Sequence, residues 1–231
     1  LETLNTPIYK IASFECIDLS LIRRVAATRK PMVISTGMAT LAEIHEAVET
    51  AREGGCQDLT LLKCTSTYPA PPDGANLATI EHMRIAFNCP VGLSDHTAGI
   101  GVAVAAVALG ATMVEKHLTL DRGDGGVDSA FSLEPDEFKC LSEECRRAWA
   151  ARGEVFYGPT KAERNAVSRR RSLYVVKDIP ANGLVTSDNV RAIRPGHGLP
   201  PKYLPTVLGM RVTQNVGRGT PLCWELLKAE Y

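Results

Sequence analysis

Residues 91–119 read VGLSDHTAGIGVAVAAVALGATMVEKHLT. A short apolar run at 91–95 ends in a polar turn. A small-apolar stretch with helical spacing follows from Gly99 to Leu109, and a second apolar run fills 112–118. Both runs are continuous rather than alternating, the pattern of parallel strands covered on both faces. Strand, helix and strand at this spacing make a βαβ unit. Each run also leads to a histidine, His96 and His117.

The same pattern recurs toward the N-terminus. "IYKIAS" (8–13), "PMVIST" (31–36) and "LTLLKCT" (59–65) are each followed by helical spacing, at about Leu19–Thr28, Leu41–Glu53 and Asn76–Phe87. After the fifth run a loop precedes a helix expected at about Pro135–Ala151, with Pro135 suited to its first turn. Five βα units thus occupy residues 1–152. They suit either an open doubly wound sheet or the last five units of a (β/α)8 TIM barrel. Two features favour the barrel. Polar groups close every run: Ser13, Ser35 with Thr36, Thr65 with Ser66, Ser94 with His96, and His117. Barrel active sites assemble at those ends. No Gly-rich dinucleotide turn follows any run. On this reading the barrel is incomplete. A chain that opens on Leu1 is expected to lack on the order of 100 of the roughly 250 residues a barrel needs.

The texture changes after the fifth unit. Residues 153–170 are polar with weak periodicity and read as a linker, and 171–231 form a small β-rich module. A module of that size is marginal alone and is expected to dock on a partner surface.

Lys and Arg together number 26, as do Asp and Glu, so no net field favours nucleic acid or an anionic membrane. No run approaches the roughly 20 apolar residues of a membrane span, and nothing resembles a signal peptide. Seven scattered cysteines without CxxC spacing fit reduced thiols and a cytoplasmic location. Cys64, inside an apolar run, reads as core.

In an extended chain, residues i and i+2 share a face. Glu115 and His117 then point one way with Lys116 opposite, and Ser94 shares a side with His96. Two imidazoles on neighbouring strand ends can hold a divalent metal with positions left for substrate and water. They can equally be hydrogen-bonded strand-end histidines. Lys10 and Lys63 sit inside apolar runs, where an ammonium needs an anion. A phosphorylated or carboxylated ligand would serve, as would Glu15 or Asp95. The glycine-rich loop 121–132 suits closure over a barrel mouth, with Asp128 as its polar contact or as a plain acidic turn. "RPGHG" (194–198) presents Arg194 and His197, toward an anionic ligand or as a surface turn.

Six motifs in order, "YKIASFE", "KPMVISTGM", "LLKCTSTYPAP", "VGLSDHT", "VEKHLTLDR" and "RPGHG", resemble the sialic acid synthase family. "YKIASFE", "GGVDSAFSLEP" and "SRRRSLYVV" look most like its pseudaminic acid branch. The resemblance implies a TIM barrel followed by an antifreeze-like (SAF) domain, in a domain-swapped homodimer when full length. It implies condensation of phosphoenolpyruvate with a 2,4-diacetamido-2,4,6-trideoxy hexose and water, releasing phosphate, and a divalent metal, Mn²⁺ or Mg²⁺. His96 of "LSDHT" and His117 of "EKH" match the metal ligands. Lys10, Ser13, Ser35 and Ser94 match phosphoenolpyruvate-holding positions, with Lys63 a further candidate anion contact. Asp128 matches an acidic position near the sugar, and Glu115 is taken as a sugar or metal-shell contact. Arg194 matches the arginine that reaches the sugar in the partner's site, and Ser66 stands where other branches carry Asn. The isolated chain is expected to be inactive. Two other functions fit the spacings: a metal-dependent pyruvate aldolase on the same kind of barrel, and a non-catalytic binding fragment.

Overall fold

The computed structural model describes residues 4–228. They fall into two compact units that divide between Glu154 and Val155.

In the first unit five parallel strands lie in the order in which they occur in the chain. They are β1 (Tyr9–Ile11), β2 (Met32–Ser35), β3 (Leu59–Cys64), β4 (Val91–Asp95) and β5 (Val114–Lys116). The helices are α1 (Leu19–Ala26), α2 (Leu41–Glu53), α3 (Ala78–Phe87), α4 (Gly101–Ala108) and α5 (Pro135–Arg152). A doubly wound sheet reverses its strand order at a switch point. This one does not, so the barrel alternative holds: the sheet is the arc of a TIM-type barrel.

Curvature follows from a single contact. Strands four places apart in a flat sheet lie roughly 19 Å from each other. Yet Lys10 of β1 reaches Glu115 of β5, Nζ to Oε1 2.9 Å. The sheet is rolled, and its concave face brings the two end strands together.

Local chemistry sets the helix limits. Thr40 caps α2 in a capping box, its Oγ1 accepting from Glu43 N while Glu43 Oε2 accepts from Thr40 N. Pro135 occupies the first turn of α5, and Glu134 with Glu137 forms a second box. The register then divides the side chains. Ile11, Ile34, Leu61, Val91, Leu93 and Val114 face the helices and join one core with Ile22, Val48, Ile80, Met83, Ala106 and Leu141. The residues between them face the concave side.

The second unit has β6 (Ser172–Val175) antiparallel to β7 (Val190–Ile193), and β8 (Arg211–Val212) antiparallel to β9 (Leu227–Lys228). A short helix, α6 (Leu204–Val207), lies between the two pairs in the chain. Leu173, Val175, Ile179, Val190, Val212, Val216 and Leu222 form a core of its own. Gly198 is required there: a Cβ would sit 2.3 Å from the Leu173 carbonyl oxygen. No helix among the described residues is long and apolar enough to cross a membrane.

Candidate active site at the concave rim

The register decides which residues meet. Pairing Ser94 with Cys64 and with Glu115, and Leu62 with Ser35, puts those residues on the concave side. Two further steps along β4 and β5 carry His96 and His117 to the same side. A cavity of about 350 Å³ opens there, walled by Lys10, Ala12, Ser13, Phe14, Ser35, Tyr68, Ser94, His96, Glu115, Lys116 and His117. The imidazole centroids of His96 and His117 are 5.3 Å apart.

The His96 imidazole is oriented by its Nδ1, and the Nδ1 of His117 faces a carboxylate at longer range. That of His96 lies 3.0 Å from the Thr65 carbonyl oxygen, which can only accept, so Nδ1 carries a proton and Nε2 is the ring nitrogen left for a ligand. That of His117 lies 3.6 Å from Asp128 Oδ2. A carbonyl or carboxylate behind the ring is the usual second shell of a metal-binding histidine. Burial alone would pull the His96 imidazole down. The Cys64 sulfur and the Thr65 carbonyl outweigh it and hold the ring above its ordinary value. Among the described residues no cluster of three or more His, Cys, Asp or Glu forms a metal site unaided. The pair of imidazoles fits a cation whose remaining positions are filled by substrate oxygens and water.

The rest of the cavity wall includes three serine hydroxyls and the Lys10 ammonium. Ser13, Ser35 and Ser94 are all buried. Ser13 Oγ accepts from Gly37 N at 3.0 Å. Ser35 Oγ has no hydrogen-bond partner at all. A buried, unpartnered hydroxyl in a cavity wall is unusual and suits a ligand that supplies the missing bond. Lys10 reaches into the same space with its side chain 32% exposed, so its pairing with Glu115 is open to solvent and to ligand.

Cys64 is buried as expected, but among polar groups and not in the apolar core. Its Sγ lies 3.6 Å from Ser66 Oγ and 3.8 Å from His96 Nδ1. Burial pushes its thiol up, yet hydrogen bonds from His96, Ser13, Ser66 and Ser94 prevail and bring it to about 7.

Lys63 is a correction. Its register partner is Leu93, a helix-facing core residue, so Lys63 faces away from the cavity. Its Nζ donates to the Cys64 carbonyl at 2.9 Å, and burial pulls its ammonium below the ordinary range. Proximity to the rim in sequence misleads because β3, LTLLKC, has apolar residues on both faces and shows no alternation. The proposed lysine partners are corrected too: Lys10 pairs with Glu115, not Glu15, and Asp95 pairs with Lys116. Ser66 and Asp128 flank the cavity without forming its wall, and Arg194 is exposed in the second unit.

Two aromatic residues complete the site and carry no signal in the spacing of the runs. The Tyr68 ring centroid is 4.3 Å from that of His96, and the Phe131 centroid is 5.2 Å from that of His117. Both come from loops that fold back over the rim. The loop carrying Phe131 is anchored by Arg122, which donates to the Ser132 carbonyl at 3.0 Å and pairs with Glu137.

Comparison with known proteins agrees with this architecture. Residues 1–157 match the NeuB family model and residues 170–228 the SAF domain model. Pseudaminic acid synthase of Helicobacter pylori is 40% identical over 225 residues, 96% of this chain and 66% of that protein. N,N'-diacetyllegionaminic acid synthase of Campylobacter jejuni is 38% identical over 218 residues, 93% of this chain and 65% of that protein. The crystal structure of N-acetylneuraminic acid (sialic acid) synthetase from Leptospira borgpetersenii superposes with a TM-score of 0.68 at 33% identity, covering 72% of this chain and 58% of that one. The chain therefore spans just under two thirds of the length of these relatives.

Proposed function

The chain belongs to the NeuB family, and on that premise we propose that it serves a phosphoenolpyruvate-dependent synthase of a nonulosonic acid. The reaction joins phosphoenolpyruvate to a 2,4-diacetamido-2,4,6-trideoxy hexose with water and releases phosphate. The altrose isomer, which leads to pseudaminic acid, is the sugar we favour, on the branch motifs and the 40% identity to the Helicobacter pylori enzyme. The whole reaction is ascribed to a cytoplasmic protein that works as a homodimer.

The observation that carries this reading is one cavity shared by His96, His117, Lys10 and the unpartnered Ser35 hydroxyl. His96 and His117 would hold Mn²⁺ or Mg²⁺ through Nε2, and the ion would supply Lewis acidity to the sugar's aldehyde oxygen. Lys10, Ser13, Ser35 and Ser94 bind the phosphate and carboxylate of phosphoenolpyruvate. Held there, its C3 would face the sugar's aldehyde carbon, a near-attack arrangement that binding energy secures. Carbon–carbon bond formation leaves positive charge at C2, water adds, and the resulting tetrahedral centre expels phosphate. Glu115 and Asp128 accept and return protons on the sugar side, Ser66 contacts the sugar, and Arg194 reaches the sugar held in the site of a partner subunit. Tyr68 and Phe131 cover the rim and exclude competing water.

Calorimetry of phosphoenolpyruvate with the Mn²⁺-loaded chain tests the reading. Binding is expected, weakened about tenfold by Ser35→Ala, in proportion to one hydrogen bond to a charged ligand. An unchanged affinity in that variant removes the assignment. Mass spectrometry of products from a panel of diacetamido sugars then identifies the acid.

A further inference from the structure

We infer that Asp95, Thr97 and Lys116 form a positioning network, bonded to one another through buried side-chain ends on the helix-facing side, that sets His96 against His117 and thereby governs divalent-cation affinity. The inference rests on the two-histidine metal reading above.

Asp95 and Lys116 are register partners on the helix-facing side of β4 and β5. Their side chains are 1% and 2% exposed, and Lys116 Nζ lies 2.7 Å from Asp95 Oδ2. Each immediately precedes one of the histidines. Successive strand residues point to opposite faces, so the ion pair on one face and the imidazoles on the other are consecutive rungs of one ladder. Asp95 Oδ1 also accepts from Thr97 N at 2.9 Å and from Thr97 Oγ1 at 2.8 Å. Lys116 Nζ donates in addition to the Thr97 carbonyl. The backbone on both sides of His96 is thus tied to the residue before His117.

The tie matters because β5 is short. It is three residues long, lies at the end of the strand order, and has three register pairs to β4. His117 follows directly after it, its carbonyl accepting from Leu133 N at 2.9 Å; that bond holds the chain to the loop beyond, whereas the Asp95–Lys116 pair ties it to the strand that carries His96. Packing does not require the charges: a buried ion pair replaced by apolar residues of similar volume often leaves stability unchanged or raised. What the network supplies is directional geometry at the strand ends.

The test measures Mn²⁺ binding to the whole chain by the electron paramagnetic resonance signal of the free ion. The parent, Asp95→Leu with Lys116→Met, and Thr97→Val are compared. The paired replacement leaves the buried Thr97 N–H and hydroxyl without their Asp95 acceptor, so it is expected to fold with a lowered thermal midpoint, to weaken Mn²⁺ binding about tenfold or more, and to broaden the bound-ion spectrum. Thr97→Val keeps the ion pair and is expected to show a smaller loss. A folded paired variant that binds Mn²⁺ as the parent does overturns the inference. If that variant does not fold, parent-like binding by Thr97→Val overturns it instead. Mn²⁺ binding unaffected by His96→Ala or His117→Ala is a different result: it removes the two-histidine reading, and the inference falls with it.

Discussion

The two faces of the sheet treat charge in opposite ways. On the helix-facing side, Asp95 and Lys116 are almost wholly buried and bonded to each other and to Thr97. On the concave side, Lys10 and Glu115 pair with 32% and 43% of their side chains exposed, beside a serine hydroxyl that bonds to nothing. The two environments are one residue apart along β5. Their thiols diverge likewise. Cys16, in the helix-side core, is pushed up to about 11 by burial and by the Glu43 charge, whereas Cys64 on the concave side is brought to about 7. The helix-facing network is closed and the concave one is left open. An open network is what a ligand can complete.

The contrast can be broken most forcefully by removing one lysine from each face. Lys116→Met strands a buried carboxylate and is expected to destabilise the first unit by about 3–5 kcal/mol. Lys10→Met removes a solvent-exposed partner and should cost under about 1 kcal/mol. Urea unfolding of both variants, followed by far-ultraviolet circular dichroism, measures the difference. Equal losses would show that the two faces do not differ in this respect.

Gly37 tests how tightly the open face is nonetheless packed. A Cβ there would lie 2.1 Å from Ser66 Oγ and 2.8 Å from Ser13 Oγ. Gly37→Ala is expected to cost about 1–3 kcal/mol through this overpacking. Adding Ser66→Ala removes the nearer oxygen and should recover part of the loss, a coupling that a double-mutant cycle reads directly.

The smallest effect is a slope in pH. The Cys16 thiol holds its proton to about 11 in the folded chain against an ordinary value of 9.0. The folded state therefore binds more protons than the unfolded state between those values. The stability this group contributes is complete below about 9 and is lost as pH rises toward about 11. Urea midpoints between pH 8 and 11, expected to fall less steeply in Cys16→Ala than in the parent, measure it.

Much of this was legible in the sequence. The apolar runs at 31–36, 59–65 and 91–95 enclose β2, β3 and β4, and the helix expected at Leu41–Glu53 has those limits. Continuous apolar runs and capping residues are local signals, and the chain obeys them. The parity of Glu115, Lys116 and His117 was also readable, because polar residues mark both faces of that run. Lys63 was not, since β3 is apolar on both faces and only pairing with Leu93 discloses its direction. Tyr68 and Phe131 were beyond reach for another reason: they arrive on loops, and where a loop returns depends on tertiary packing. The role of Asp95 was hidden similarly. Its partner lies 21 residues away, and nothing in "LSDHT" names it.

The order of the strands has a consequence for synthesis. Because each βα unit lies against the one made just before it, most of the sheet can condense progressively as the chain leaves the ribosome. The link between Lys10 and Glu115 is the exception, joining residues 105 positions apart. It can form only after the fifth strand has emerged and the arc has rolled. A nascent chain halted short of Glu115 would display an unneutralised lysine on its concave face, and closure of that single pair joins the first of these strands to the fifth.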